Sequence, residues 1–287
     1  MSEINNVLPL PPTNSKIALN IIIRTFKNEI EKTGLTRAVI GLSGGIDSAL
    51  TLFLAARALG SQNVTAVFMP YKLTSPLSRE HALLAANMCG IKLLEEDITK
   101  MADSYFNTAS FGSDNDRLRK GNVLARLRMI VLYDYSVFTK SIVAGTSNKS
   151  EILLGYGTLW GDMASGVNPV GDLYKFQVYA ISRHLGIPDD IVQKAPSADL
   201  WEGQTDEGEL KMTYDFIDRI LYYWIDLGWN KERIYTALHE AGQDPQTADM
   251  VFNRVMASQY KRKMPLIIKV SEKTIDREFR YPRDWGM

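Results

Sequence analysis

The stretch Ala38-Val39-Ile40-Gly41-Leu42-Ser43-Gly44-Gly45-Ile46-Asp47-Ser48 decides the fold of this chain. Its first five residues form an apolar run that predicts a buried strand, and residues 49–59 predict a helix. A strand, a glycine turn and a helix N-terminus make an anion site, because glycines let a ligand approach the backbone and free N–H groups favour phosphate. The turn contains no lysine, so it is not the common P-loop that ends in Gly-Lys-Ser or Gly-Lys-Thr. The alternative is a strand-to-helix turn that binds no ligand.

Strand and helix signals alternate along the first half of the chain. This alternation predicts a parallel sheet with helices on both faces, in which ligands bind at the carboxyl ends of the strands. We therefore expect one α/β domain over residues 1–287, with a doubly wound, five-stranded parallel sheet and extra C-terminal helices. The predicted strands are 37–42, 63–69, 91–95, 141–145 and a short fifth near 167–171. The predicted helices are 46–59, 78–89, 121–139, 213–227, 231–241 and 246–260.

Two segments are predicted to lie outside this framework. Residues 1–14 are rich in Pro and Asn and are predicted to form an extended N-terminal arm. Residues 198–212 carry two glycines and five carboxylates, a composition that predicts a mobile loop.

The composition limits the classes of partner. Lys and Arg total 33, as do Asp and Glu, so no overall charge favours nucleic acid or an anionic membrane. No apolar run approaches the roughly 20 residues that span a bilayer. The single cysteine, Cys89, cannot form an internal disulfide and lies in a helical stretch rich in Ala and Leu, which favours a buried structural thiol. A cytoplasmic location fits this cysteine usage.

Three motifs carry a family resemblance. The turn pattern SGGxDS resembles the loop of the ATP pyrophosphatase superfamily, whose members cleave ATP between its α- and β-phosphates. AGTSNKSEILLGYGTLWGDMASGVNPVGDLYK at 144–175 and KAPSADLWEGQTDEGEL at 194–210 resemble the NAD synthetase family. The likeness extends from about Ile40 through Trp285.

The resemblance implies a fold and a reaction. The fold is like that of the adenine nucleotide alpha hydrolases. The reaction is the last step of NAD biosynthesis, in which ammonia amidates nicotinic acid adenine dinucleotide (deamido-NAD). The carboxylate is first adenylated by ATP, and AMP and pyrophosphate are released, so the enzyme is a ligase that forms a C–N bond.

Residues for the chemistry follow from motif positions that match the family. Asp47 and Glu151 match metal-binding acids, and carboxylate oxygens suit Mg²⁺, which takes one or two protein carboxylates. Lys175 matches a lysine that approaches the ATP phosphates. Without the resemblance, Asp47 could be a helix cap, Glu151 an exposed helix residue and Lys175 a surface charge. The expected ATP-binding residues are Gly41, Leu42, Ser43, Gly44, Gly45, Ser48, Thr146, Lys175 and Ser197.

Four further residues match family positions that bind the dinucleotide: Asn122, Arg126, Asp162 and Lys261. Arg126 is suited to this role, since arginine holds a phosphate or carboxylate through two parallel hydrogen bonds. Asn122 and Arg126 are four residues apart and share a helix face, whereas Arg128 is expected to point elsewhere and to serve as a structural partner.

The chain also departs from some ammonia-dependent members. Leu159 stands where they carry Lys, and Gly166 stands where they carry Asp, so those two contacts cannot be transferred. The residues of these motifs resemble more closely those in the synthetase domain of glutamine-dependent family members. The chain has no room for an N-terminal glutaminase, so free ammonia is the expected nitrogen source and a separate glutaminase partner is the alternative.

Family members are usually homodimers, and the helix that carries Arg126 is expected to pack across the interface. Its apolar residues fit an ordinary core equally well: Val123, Leu127, Ile130, Val131 and Tyr135. Three other functions are considered: a superfamily amidoligase for a different carboxylate, a tRNA-modifying member, and a nucleotide-binding paralogue without catalysis. The neutral charge and single cysteine argue against the tRNA-modifying member.

Overall fold

A computed structural model describes residues 4–109, 117–197, 205–263, 265–275 and 278–279. Its sheet has four parallel strands in the order β3-β2-β1-β4. The strands are β1 (Ala38–Gly41), β2 (Val64–Phe68), β3 (Leu93–Glu95) and β4 (Ile142–Val143). In register, Ala38 pairs with Val64 on one side and with Ile142 on the other. The predicted parallel α/β sheet is confirmed, and each of these strands is shorter than predicted.

The predicted fifth strand is not formed by the described residues. Only one parallel bridge, between Ala144 and Val167, extends the sheet beyond β4. The chain then turns, because the Asn168 side chain accepts a hydrogen bond from the Val170 backbone and donates one to the Ser147 carbonyl. These side-chain hydrogen bonds form in place of the backbone hydrogen bonds that would pair a fifth strand with the sheet.

Helices cover both faces of the sheet. The first helices are α1 (Ile4–Val7), α2 (Ser15–Glu31), α3 (Ile46–Leu59), α4 (Pro76–Met88), α5 (Thr99–Thr108) and α6 (Arg117–Thr139). The next are α7 (Lys149–Leu154), α8 (Lys175–His184), α9 (Asp189–Val192) and α10 (Asp206–Leu210). The predicted helix 46–59 is found with those bounds as α3. On one face of the sheet Ile40 and Ala66 pack against α2, α3, α4 and α8, and on the other face Val39 and Val67 pack against α5 and α6.

The C-terminal helices form a second core with the start of the chain. They are α11 (Tyr214–Leu221), α12 (Lys231–Glu240) and α13 (Gln246–Ala257), with a π-helical turn over Tyr222–Asp226. Leu8, from the segment predicted as an extended arm, is fully buried in this core. Arg219 donates to the Leu8 carbonyl and Tyr223 to the Pro9 carbonyl, so this segment is anchored and begins with a helical turn.

The long helix α6 is apolar on more than one side. Leu127, Val131 and Tyr135 are partly buried and pack against the core on that face of the sheet, as the alternative of an ordinary core predicts. Ile130 and Phe138 are exposed, the latter at 83%. Within the described ranges, no helix has the length and apolarity needed to cross a bilayer.

Candidate active site

A cavity of about 620 Å³ lies at the carboxyl ends of β1 and β4, where the α/β arrangement places ligand sites. It has two ends. The loop end contains Ser43, Gly45, Asp47, Glu151 and Lys175, and the turn end contains Asn122, Arg126, Asp162 and Lys261. Every residue expected above to bind ATP, metal or dinucleotide lines this cavity except Gly44.

The glycine turn is held by its own serines. Ser48 Oγ donates to the Gly45 carbonyl at 3.0 Å and accepts from the Ser43 N–H at 3.2 Å. Ser43 Oγ lies 3.1 Å from Ser48 Oγ. Since α3 begins at Ile46, its free N–H groups open directly onto the cavity.

Gly44 and Gly45 have different structural roles in the turn. Gly44 has φ +78°, and a Cβ built there would lie 2.1 Å from the Ser78 carbonyl oxygen. Gly45 has φ −94°, which any residue adopts, and a Cβ there would meet Ser43 Oγ at 3.4 Å, an ordinary contact. The fold therefore requires glycine at 44. At 45, glycine leaves the backbone accessible from the cavity, as close approach of a phosphate demands.

The charged centre of the loop end joins three distant parts of the chain. Lys175 Nζ lies 2.6 Å from Asp47 Oδ2 and 3.4 Å from Glu151 Oε1. The Lys175 side chain is almost fully buried, whereas both carboxylates keep some accessible surface. A buried ammonium needs such partners, because an unpaired buried charge is costly.

Asn148 fixes the two carboxylates relative to each other. Its Nδ2 donates to Asp47 Oδ1 at 2.9 Å, and its backbone N–H donates to Glu151 Oε2 at 3.2 Å. Asn148 Oδ1 accepts in turn from the Glu151 N–H, which completes a capping box at the start of α7. Asn148 lies within the motif at 144–175, but no site role was predicted for it.

Electrostatics at the loop end follow from burial and charge. Burial, with the nearby Asp47 charge second, raises the pKa of Glu151 to about 8, although Lys175 opposes the shift. Burial alone would lower the pKa of Lys175, but Asp47 and Glu151 outweigh it and raise the pKa above its ordinary value. Lys175 therefore stays charged at neutral pH.

The donor set at the loop end fits a magnesium ion. Mg²⁺ prefers oxygen ligands and commonly takes one or two carboxylates together with phosphate oxygens and water. Asp47 and Glu151 supply two carboxylates that both face the cavity beside the open glycine turn. Their oxygens retain lone pairs beyond the hydrogen bonds that they accept.

The turn end is built around residues 155–162. Thr158 donates from its backbone to Asp162 Oδ1 at 2.6 Å and from its hydroxyl to Asn122 Oδ1 at 2.7 Å. Arg126 Nε and Nη2 both donate to the Leu159 carbonyl, at 3.3 and 3.2 Å. Asp162 keeps surface toward the cavity, yet surrounding protein raises its pKa through burial.

Lys261 ties the C-terminal part of the chain to this turn. Its Nζ donates to the Gly155 carbonyl at 2.8 Å and to the Gly157 carbonyl at 2.7 Å. Burial lowers its pKa, and the Asp162 charge acts in the opposite direction. Lys261 therefore contacts both the C-cap residue of α7, Gly155, and the turn that follows it.

Arg128 and Asp206 line the cavity although neither was expected there. Arg128 lines the cavity and donates to the Met69 carbonyl at 3.0 Å, so the expectation that it points away from the site is wrong. A long side chain can return to a cavity from a neighbouring helix face. Asp206 is buried and accepts from the hydroxyls of Tyr156 and Tyr214 at 3.0 and 3.3 Å.

Of the segment predicted as a mobile loop, residues 198–204 lie outside the described residues. Ser197, immediately before them, lines the cavity. Residues 205–210 are ordered as the cap and body of α10, whose N-cap Thr205 accepts from the Gly208 N–H.

Comparison with known proteins identifies relatives of this chain, both in sequence and in structure. The sequence profile of the family described as NAD synthase matches residues 18–265. The "NH(3)-dependent NAD(+) synthetase" of Trichlorobacter lovleyi is 48% identical, covering 95% of this chain and 97% of that protein. A solved NH3-dependent NAD synthetase from Campylobacter jejuni superposes with a TM-score of 0.74 at 31% identity, covering 90% of this chain and all of that one. A solved structure of NMN synthetase from Francisella tularensis superposes with a TM-score of 0.77 at 30% identity, covering 90% of this chain and 99% of that one.

Proposed function

The chain belongs to the NAD synthase family, and we propose that the cavity described above is the site where it amidates deamido-NAD with ammonia. The activity is that of a ligase: ATP adenylates the nicotinate carboxylate, ammonia displaces AMP, and NAD and pyrophosphate are products. The observation that carries the location is the convergence of Lys175, Asp47 and Glu151 beside an open glycine turn, in one cavity with Arg126 and Asp162.

The loop end is the proposed phosphate site. The N–H groups at the start of α3 and the serines of the turn would bind the β- and γ-phosphates of ATP. Lys175 faces the same space and would stabilise the negative charge that develops on the departing pyrophosphate. Thr146 and Ser197 line the walls and are proposed ATP contacts.

Magnesium is the proposed metal, held by Asp47 and Glu151. When bound it would neutralise phosphate charge and make pyrophosphate a better leaving group. Asp47→Asn and Glu151→Gln should each raise the Mg²⁺ concentration needed for half-maximal ATP binding, measured by titration calorimetry. Unchanged magnesium dependence in both variants would refute this assignment.

The turn end is the proposed dinucleotide site. Arg126 can leave the Leu159 carbonyl and pair with a phosphate, because its contacts there are long and its side chain is exposed. Asn122, Asp162 and Lys261 would orient the rest of the substrate. The carboxylate to be activated must reach the α-phosphate between the two ends, away from bulk water.

A mononucleotide acid is the second candidate substrate. The structure of NMN synthetase from Francisella resembles this chain, and Leu159 and Gly166 stand where some ammonia-dependent family members carry Lys and Asp. The experiment compares kcat/KM for deamido-NAD and for nicotinic acid mononucleotide, each with ATP, Mg²⁺ and ammonium. A preference for the dinucleotide supports the proposal, and a preference for the mononucleotide overturns the substrate assignment.

The nitrogen source is tested in the same assay. Ammonium should support NAD formation and glutamine should not. Equal rates with both would indicate a glutaminase acting with this chain. No product with either nitrogen source, despite ATP binding, would indicate a different carboxylate substrate or a non-catalytic paralogue.

A homodimer is the proposed assembly, with α6 at its interface. Ile130, Val137 and Phe138 are exposed on α6, at 51, 80 and 83%, although the same helix lines the cavity with Arg126. Such exposed apolar surface favours burial against a partner. Sedimentation should give a dimer, and Val137→Asp with Phe138→Asp should give a monomer; a monomeric unmodified protein would contradict the proposal.

A further inference from the structure

The N-terminus of α8 is completed by side chains from two other helices. Its first N–H, that of Lys175, donates to Ser150 Oγ of α7 at 3.0 Å. Its second, that of Phe176, donates to Asp218 Oδ2 of α11 at 2.8 Å. Free N–H groups at a helix start need acceptors, and a carboxylate there also interacts favourably with the helix dipole.

Asp218 connects both contacts. Ser150 Oγ donates to Asp218 Oδ1, so one carboxylate holds α7 and α8 together. Ser150 directly precedes Glu151, and Ser150 Oγ accepts a hydrogen bond from the N–H of Lys175. The two ends of this small network are therefore the backbone positions of two residues of the loop end.

Asp218 itself is outside the cavity. Its residue surface is completely buried, and it is not among the residues that line the cavity. Burial raises its pKa to about 7, against the opposing effect of its hydrogen bonds to Ser150 and Phe176. A buried carboxylate is costly unless it is well hydrogen-bonded, so its place here calls for a reason beyond packing.

We propose that Asp218 is a positioning residue for the phosphate chemistry. By joining α7 to the start of α8 it fixes Lys175 Nζ between Asp47 and Glu151. Asp218 contacts no substrate; it acts through Ser150 and the α8 backbone. The inference rests on the proposed function, because it gives Asp218 a role only if Lys175 and Glu151 serve the ATP phosphates.

The alternative is a cap that only stabilises the fold. Such a cap would lower the melting temperature when removed, without changing how the folded molecules bind ATP. A positioning residue should instead change ATP affinity in the folded fraction while leaving the turn end, and hence the KM for deamido-NAD, unchanged. These two readouts separate the roles.

The test uses Asp218→Asn in the full chain. The amide keeps the size and can still accept from Phe176, but its NH₂ group faces the Ser150 hydroxyl and reverses that hydrogen bond. We expect ATP affinity in excess Mg²⁺, measured by titration calorimetry, to fall about 10-fold or more, the usual effect of losing a residue behind a ligand-binding group. We expect a similar fall in kcat and an unchanged KM for deamido-NAD.

Asp215→Asn is the matched control. Asp215 lies on the same helix and pairs with Arg219 at 2.8 Å rather than with α7 or α8. This variant should alter the melting temperature at most and leave ATP affinity unchanged. An equal loss of ATP affinity in both variants would mean that α11 acts only through general stability, and would overturn the proposal.

Ser150→Ala provides a second route if Asp218→Asn does not fold. It should weaken ATP binding in the same direction, and the double variant should be no worse than the weaker binder of the two, since both act through one network. Additive effects, or normal ATP affinity in either folded variant, would overturn the inference. NAD formation by the unmodified protein tests the proposed function separately.

Discussion

The loop end and the turn end of the cavity are held by different kinds of contact. At the loop end, Lys175, Asp47 and Glu151 are charged side chains that constrain one another. At the turn end, Arg126 and Lys261 donate to main-chain carbonyls of residues 155–159. A charge removed from the loop end leaves its partners unbalanced, whereas a charge removed from the turn end leaves neutral carbonyls. Substitutions at the loop end should therefore lower kcat or ATP binding. Substitutions at the turn end should raise the KM for deamido-NAD.

The largest effect is expected for Lys175→Met. The variant leaves Asp47 and Glu151 side by side without their shared cation and removes a group that stabilises departing pyrophosphate. We expect kcat to fall about 10²–10³-fold, the usual effect of removing one such electrostatic contact. Steady-state kinetics measure this, and calorimetry should show deamido-NAD binding retained.

Lys149→Met is the control for that experiment. Lys149 also bridges two carboxylates, Asp226 at 2.9 Å and Asp172 at 3.2 Å, but it is not among the cavity residues. Its variant should keep kcat near that of the unmodified protein. If the two lysine variants lost activity equally, the special role of the loop end would be refuted.

A pair of glycine variants separates fold from ligand at the loop end. Gly44→Ala must relieve a contact of 2.1 Å with the Ser78 carbonyl and a positive φ, so the free energy of unfolding should drop by roughly 2–5 kcal/mol. Gly45→Ala should unfold at nearly the normal denaturant concentration and yet bind ATP more weakly, because its methyl group enters the phosphate space. Chemical denaturation and ATP calorimetry on both variants check this. Normal ATP binding by Gly45→Ala would show that the phosphates lie elsewhere.

These contrasts also mark what the sequence could predict. The strands and α3 follow from apolar runs and a glycine turn, which are local signals. The stretch near 167–171 lost its predicted strand because the Asn168 side chain hydrogen-bonds to Val170 and to the distant Ser147 carbonyl, and the apolar pattern does not report such side-chain bonds. Arg128 was misplaced because helix-face geometry ignores the length of its side chain.

The site divides in the same way. Local pattern alone favoured an ordinary surface role for Lys175 and left an exposed helix position open for Glu151, and the family motifs pointed to the site that they form with Asp47. Asn148 lies within the motif at 144–175 and Asp218 lies outside the motifs, and no local pattern gives either residue a role. Their contacts join residues 68 and 101 positions apart, so they depend on how α7, α8 and α11 pack.

At the turn end, Arg126→Ala should raise the KM for deamido-NAD about 10–100-fold, the range expected for losing hydrogen bonds to a charged group. kcat should change little, since Arg126 lies away from Lys175 and the phosphates. Arg183→Ala, an exposed arginine on α8 that is not among the cavity residues, is the control. A large fall in kcat with a normal KM would place Arg126 at the reacting atoms and blur the distinction between the two ends.

The smallest effect is expected for Cys89→Ala. Cys89 caps the C-terminus of α4, and Ser78, whose carbonyl lies against Gly44, is near the other end of that helix. Burial raises the pKa of the Cys89 thiol from 9.0 to about 11, so it is protonated and unreactive at neutral pH. Below pH 9 the thiol keeps its proton in both folded and unfolded chains. Between pH 9 and 11 the unfolded chain loses that proton first, so this group's contribution to stability declines as the pH rises.

The variant should therefore keep normal kcat and KM and be slightly less stable near neutral pH, since a partly buried sulfur is lost. Its deficit in melting temperature should shrink as the pH is raised from 9 to 11, because ionisation of the thiol in the unfolded chain lowers the stability of the unmodified protein there and the variant has no thiol to ionise. Thermal melts of both proteins across that window measure the difference. A constant deficit would mean that the thiol is not buried as described. A loss of activity would mean that the substitution at Cys89 alters the loop end through α4.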